Sequence, residues 1–325
     1  MEQQLQERYQ LEEIKTPSAP TGADSAVKWA KAAAVMSALA LLVSCITLFV
    51  LLRPEPEPEA VEEPEPPVAS EPIQVEEIPT IEYREHVVPV LADVPVNGYD
   101  DSRFKVNERG WLTYETEQGA AAIGIDVSSY QGDINWEKVA DSGVGFAMIR
   151  AGYRGYSKGV VMEDKNFKKN IQGALDAGVE VGVYFFSQAT NVWEAQEEAD
   201  YLLEAIEGYD VTYPVVYDWE FIAGNSEART SGMKSDDVTR CAGAFCDMVK
   251  EAGYEPMIYF NQDLGYLTYG LDQLTDYGFW LAEYNAKPNF YYDFDLWQYT
   301  HRGTVPGIEG SVDLNLDLRA LKADT

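Results

Sequence analysis

From residue 124 onward, short apolar runs alternate with stretches in which apolar residues recur every three or four positions. The runs at 124–129 (GIDVSS), 146–151 (FAMIRA), 179–188 (VEVGVYFFSQ), 213–220 (YPVVYDWE), 256–261 (PMIYFN), 279–284 (FWLAEY) and 294–299 (FDLWQY), with a last one near 311–316, have the length and composition of strands. Helical patterns separate the earlier runs. Over 192–207, Ala195, Ala199, Leu202, Leu203 and Ile206 share one face, and Asn191 stands as N-cap with Glu194 three residues on. A second helix begins after Ser235, with Cys241, Ala244, Phe245 and Met248 along its stripe. About five strand–helix pairs followed by strands on short connections predict an α/β fold closed into a β/α barrel rather than an open sheet.

The first third of the chain is built differently. Ala32 to Leu52 is 21 residues without a charge, long enough as a helix to span a bilayer. Thirty-one residues precede it and no A-x-A site follows, so it reads as an uncleaved transmembrane helix, not a signal peptide. Arg8, Lys15, Lys28 and Lys31 lie before it and Arg53 just after, which places 1–31 in the cytoplasm and the rest of a single-pass membrane protein outside. Residues 53–95 carry ten of the sixteen prolines, and Pro54–Glu85 holds eleven glutamates. Proline removes donors and the like charges repel, so this segment reads as an extended linker holding a domain away from the bilayer. Residues 96–123 form a polar lead-in without an assignable role, and 124–325 is the expected barrel.

Composition narrows the chemistry. With 55 acidic and 24 basic side chains the formal charge is −31, which excludes a nucleic-acid binder working by phosphate neutralisation. Two histidines and three cysteines leave little material for a zinc centre, a histidine-based triad or a disulfide framework. Cys241 and Cys246 fall about 140° apart on their helix and are expected as separate buried thiols. Carboxylates are the expected reagents, and no cofactor is called for.

Function in a β/α barrel gathers at the C-terminal ends of the strands. Asp126 lies in the first predicted strand, Asp218 and Glu220 end the fourth, Glu283 is near the end of the sixth, Gln298 is in the seventh and Asp313 in the last. Strand alternation puts Asp218 and Glu220 on one side with Trp219 opposite. Two carboxyls on one apolar face oppose each other's ionisation, which keeps one protonated as a general acid. A divalent-cation site built from the same acids is the alternative. Tyr130, Tyr153, Tyr184, Phe186, Tyr284 and Trp297 lie near the same ends and are candidates to stack on a flat ligand face there. The glycine-rich AGYRGYSKG (151–159) lacks phosphate-loop spacing and reads as a surface loop beside the groove.

The segments GIDVSSYQGDINW (124–136), GVYFFSQA (182–189), PVVYDWE (214–220), FWLAEYN (279–285), DLWQYT (295–300) and GSVDLN (310–315) resemble, in order, the landmark segments of the glycoside hydrolase family 25 lysozymes, the Chalaropsis-type muramidases. The resemblance implies a TIM-like barrel with an incomplete helical ring around its last strands. It also implies cleavage of the β-1,4 bond between N-acetylmuramic acid and N-acetylglucosamine in peptidoglycan glycan strands. It places the family's Asp-x-Glu on Asp218 and Glu220, its first-strand aspartate on Asp126 and its late aspartate on Asp313. Glu220 is then the expected acid and base, Asp218 the stabilising carboxylate, and Tyr130, Tyr184, Phe186, Tyr284 and Gln298 the expected substrate contacts. One position departs: where the family often has a histidine after the tyrosine, this chain has Phe185, which puts that contact in doubt. A non-catalytic wall-binding module and a hydrolase of another N-acetylhexosamine polymer are the competing readings.

Overall fold

The computed structural model describes residues 78–322. The predicted transmembrane helix 32–52, the segment before it and the spacer as far as residue 77 lie outside the described residues. Among the described residues no helix is long and apolar enough to cross a membrane.

Two small sheets come first. Strands β1 (Thr80–Tyr83) and β2 (His86–Pro89) form an antiparallel hairpin, whose tight turn is made by Arg84 in the left-handed region (φ 52°). Strands β3 (Phe104–Val106), β4 (Leu112–Thr116) and β5 (Gly119–Ala120) form an antiparallel three-stranded sheet. The barrel chain follows as β6 (Ala122–Val127), α1 (Trp136–Asp141), β7 (Phe146–Arg154), β8 (Val161–Glu163), α2 (Phe167–Asp176), β9 (Glu180–Ser187), α3 (Val192–Ala205), β10 (Val215–Trp219), α4 (Ser235–Glu251), β11 (Pro256–Asn261), α5 (Gln262–Leu267), β12 (Gly278–Ala282), β13 (Leu296–Gly303) and β14 (Val312–Asp317).

The barrel order is β6-β14-β13-β12-β11-β10-β9-β7, closed by β7 pairing with β6, while β8 hangs on β7 as an outer edge strand. Around the closed barrel all neighbours are parallel except β14, which runs antiparallel to both β13 and β6, and the outer β8 runs antiparallel to β7. The predicted helices form where expected. Asn191 caps α3 by accepting from the Glu194 N–H at 3.2 Å, and Cys241 and Cys246 are separate buried thiols.

Strand alternation sorts the apolar side chains into two cores. Phe146, Met148, Val216, Met257, Trp280 and Leu296 fill the barrel interior, with Tyr213 stacked on Phe146 at 4.4 Å. Gly124 is required there, because a Cβ would lie 2.2 Å from the Phe146 ring. The second core lies outside the barrel, where Ile125, Val127, Ile149, Val183, Tyr217 and Trp219 meet the helices.

No α-helix follows β12, β13 or β14 among the described residues, only one 3-10 turn at Arg319–Leu321 after β14, so that flank of the barrel needs another cover. The segment before β6 supplies it. The Trp111 indole donates to the Thr304 carbonyl at 3.2 Å, the Tyr99 hydroxyl to the Phe294 carbonyl at 2.6 Å, and the Asn97 amide to the Phe290 carbonyl at 3.1 Å. The Phe104 ring meets Trp297 edge-on at 5.2 Å, and Val94, Trp111, Leu112 and Tyr114 are buried.

Two sequence expectations are corrected here. The linker read as running to residue 95 is already paired at Thr80, with the Tyr83 hydroxyl donating to Asp263 at 2.8 Å. The lead-in 96–123 is a folded cover rather than a polar connection. Proline and glutamate content dominated the reading of the first and polar residues that of the second, whereas the scattered aromatic and aliphatic residues gain partners only on the barrel surface.

Candidate active site

Seven parallel strands deliver their C-terminal ends to one mouth, and β14, running the other way, brings its first residues to the same place. The register sets Asp313 opposite Asp126, which joins two acids almost 190 residues apart. In β10, Trp219 turns to the outer core and donates its indole N–H to the Ala189 carbonyl at 3.2 Å. Asp218 and Glu220, on the other side, face the mouth. There Asp126, Asp218, Glu220 and Asp313 share a cavity of about 300 Å³ with Tyr130, Arg150, Tyr184, Phe186, Tyr259, Trp280, Tyr284 and Gln298.

The acids stand in different surroundings. Asp126 accepts from the Gln298 amide at 2.9 Å and the Asn315 amide at 2.8 Å, both on Oδ2. Behind them the Trp280 indole donates to Asn315 at 2.8 Å, and the Tyr259 and Tyr284 hydroxyls donate to Gln298 Oε1 at 3.0 and 2.9 Å. This network locks Asp126 in place. Asp218 is buried and its Oδ1 has no hydrogen-bond partner.

Removal from water raises the pKa of every one of the four. Burial and then the charge of Asp313 push Glu220 up to about 7. Burial, Glu220 and Asp126 hold Asp218 well above the carboxylate range, opposed by Arg150. Asp126 is raised by burial and by Asp313, against its two amide donors. Asp313 is raised by burial and opposed by His301. Arg150, the cation lining this cavity, is itself held by Asp164 at 2.7 Å and lies over the rings of Tyr130 and Tyr153 at 5.2 and 5.4 Å. Four carboxyls crowded beside one already paired guanidinium oppose each other's ionisation, the condition for a protonated general acid beside a carboxylate.

The expected substrate contacts Tyr130, Tyr184, Phe186, Tyr284 and Gln298 all line the cavity, with Tyr130 and Tyr284 exposed and Gln298 tied into the Asp126 network. Other candidates fall elsewhere. Trp297 is fully buried outside the barrel and donates to the Glu283 carbonyl at 2.8 Å. Glu283 turns away to accept from the backbone N–H groups of Asn289 and Phe290, so it pins a loop. Tyr153 lines the adjoining groove with the 153–157 loop. Phe185, the departure from the family pattern, is buried against Tyr201 at 5.8 Å on the helix side, so its replacement of histidine removes no group from the cavity.

Sequence reasoning missed Arg150, Tyr259, Trp280 and Asn315. Asn315 was within reach, since it stands two residues after Asp313 and strand alternation puts the two on one face. Arg150, a cation inside an apolar run, was the other visible signal. Among the described residues no group of three or more His, Cys, Asp or Glu is arranged to hold a metal ion.

A closed, mostly parallel barrel with paired carboxyls and exposed aromatic rings at its mouth has the make-up of a glycosidase. Residues 125–308 match the family described as glycosyl hydrolases family 25, and the chain belongs to that family. It is similar to the autolytic lysozyme of Clostridium acetobutylicum, 28% identical over 197 residues, covering 59% of this chain and 54% of the relative. Lysozyme M1 of Streptomyces globisporus is 28% identical over 204 residues, covering 59% of this chain and 66% of the relative. Among solved structures, the modular autolysin LytC from Streptococcus pneumoniae in complex with synthetic peptidoglycan ligand aligns with a TM-score of 0.52 at 30% identity, covering 69% of this chain and 52% of that one. The chain thus spans between about half and two thirds of the length of these relatives.

Proposed function

We propose that this protein is a peptidoglycan-hydrolysing muramidase that cuts the β-1,4 bond between N-acetylmuramic acid and N-acetylglucosamine, tethered by residues 32–52 to the outer face of a bacterial membrane. The observation that carries the activity is the convergence of Asp218 and Glu220, side by side on β10 and just beyond it, with Asp126 and Asp313 in one aromatic-walled cavity. The lysozyme names of the relatives support it. The apolar run, the cations before it and the proline–glutamate spacer support the tether.

In this reading Glu220, protonated near neutrality, donates to the glycosidic oxygen and afterwards takes a proton from water. Asp218, ionised in the working state, stabilises the positive charge that develops at the sugar or on its acetamido group. Its unpartnered Oδ1 leaves an acceptor free for such a group. Asp126 and Asp313 hold the water or the acetamido group and tune Glu220.

Incubating the full chain with purified peptidoglycan is expected to release new reducing ends on muramic acid residues, identified by borohydride reduction. Absence of release anywhere between about pH 4 and 8, the range in which carboxyl acid–base pairs work, refutes the activity. Protease accessibility of the barrel in intact cells, with loss of membrane association when 32–52 is deleted, tests the tether.

The Asp126 network yields a further expectation. Asn315→Leu removes one donor from Asp126 and orphans the Trp280 indole, at about 1–3 kcal/mol for an unpaired buried group. Cleavage is expected to fall about 10- to 100-fold through misplacement of Asp126. Asn315→Asp, of equal size but without the donor, should not restore it. An unchanged rate in the leucine variant would show that Asp126 needs no positioning.

A further inference from the structure

A second cavity, of about 690 Å³, opens beside the acidic one and shares Tyr284 with it. One wall is the β3–β4 turn with Arg109, Gly110 and Trp111, and the other is β13 with Tyr299, His301 and Arg302. The family match begins at residue 125, so the first wall belongs to the chain's own N-terminal cover.

The charge of this groove is opposite to that of the molecule. In a chain of net −31, its lining carries Arg109, His301 and Arg302 and no acid. Neither Arg109 nor Arg302 forms a salt bridge among the described residues, and both are exposed.

Both cations are placed by structure. The Asn107 side chain accepts from the Arg109 and Trp111 N–H groups at 2.9 and 3.1 Å, which shapes the turn. The Arg109 guanidinium then lies over the Trp111 ring at 5.6 Å, and that ring is anchored to the Thr304 carbonyl. On the other wall the β13–β14 register slips between Gln298 and Thr300 and again between Thr300 and Gly303. Irregularities of this kind re-aim side chains, and here His301 and Arg302 are both exposed. The His301 ring packs against Tyr284 at 4.6 Å, while the Tyr284 hydroxyl reaches Gln298 in the acidic cavity. One tyrosine therefore separates the proposed reacting bond from the basic groove.

We propose that this groove is a subsite for the carboxylates of the peptide stems that hang from the muramic acid residues of the glycan strand. The inference rests on the muramidase reading of the neighbouring cavity. A sugar lying across Tyr284 delivers its acidic substituent to the groove through a covalent link, and exposed guanidinium groups, Arg109 on the Trp111 ring and Arg302 beside His301, recognise carboxylates. A basic groove at one side of an acidic cleft also biases the direction in which an anionic strand enters it.

The test compares glycan strands freed of phosphate polymers, either bearing their peptide stems or stripped of them by an amidase. Binding to the full-length protein carrying Glu220→Gln is measured with and without Arg109→Ala/Arg302→Ala, and cleavage is followed in parallel with Glu220 intact. The double substitution is expected to weaken binding of stem-bearing strands about tenfold at low salt, less at high salt, as two exposed ion pairs allow. It should raise KM rather than lower kcat and leave binding and cleavage of stripped strands unchanged. Equal effects on both substrates, or none on either, overturn the subsite. Failure of the unsubstituted protein to cleave either substrate overturns the muramidase reading, while the stem-dependent binding difference still decides the groove.

Discussion

Full-length protein carrying Glu220→Gln is expected to lose glycan cleavage by about 10²- to 10⁴-fold, the range assigned to a lost general acid, with its fold intact. The amide is isosteric but has no proton to give. Because burial and Asp313 push the Glu220 carboxyl up to about 7, cleavage by the unsubstituted protein should fall as pH rises through that value. It should fall again at low pH, as Asp218 takes up its proton.

The same substitution carries a stability signature of opposite sign. A carboxyl raised from its ordinary 4.5 to about 7 binds its proton more tightly in the folded state than in the unfolded one. Below about 4.5 both states are protonated and Glu220 opposes nothing; between about 4.5 and 7 its ionisation increasingly disfavours folding, by on the order of 1–3 kcal/mol once complete. Glu220→Gln should therefore raise Tm relative to the parent at pH 8 and leave it nearly unchanged at pH 4. Wild-type turnover in the variant would remove Glu220 as the proton donor, and a Tm difference independent of pH would show that its carboxyl is not held protonated by the site.

The second large effect concerns the cover rather than the chemistry. A fragment beginning at Ala122, at the start of β6, would keep all four acids but lose β1 to β5. Val94, Trp111, Leu112 and Tyr114 would be gone, and Phe294, Trp297 and Tyr299 would lose the cover of Tyr99, Phe104 and Leu112. At about 1.5–3 kcal/mol per buried side chain, the loss is comparable to the whole stability of a typical domain, about 5–15 kcal/mol. This fragment is expected to be insoluble or to unfold well below the parent, whereas one beginning at Ile78 should unfold cooperatively near the parent's Tm. Trp111→Ala alone should cost about 3–5 kcal/mol in denaturant unfolding. A soluble, fully active fragment from residue 122 would show that the barrel flank needs no cover.

Much of the barrel was legible because its signals are local. Each strand is an apolar run set by period-two alternation, and α3 and α4 announce themselves by spacing and, for α3, a cap. Asp218 and Glu220 are two residues apart on one strand, so their common face needs only that periodicity. The N-terminal cover was illegible for the opposite reason. Its strands are two to five residues long, and residues such as Tyr99 and Trp111 meet their partners some 190 positions away.

The sequence alone determined the order of the eight barrel strands, the expectation of carboxyl chemistry in a chain with two histidines, and the pairing of Asp218 with Glu220 on one strand face. These follow from composition and from periods of two and 3.6, which act over a few residues. Tertiary structure alone decided that β14 runs backwards and sets Asp313 opposite Asp126, and that Asn315 and Gln298 hold Asp126. It also decided that Glu283 and Trp297 serve the frame rather than the cavity, and that residues 80–121 replace the missing helices. The reason is the same in each case: which side chains lose water together, and so which carboxyls shift and which cations stay free, depends on neighbours that chain closure brings into contact.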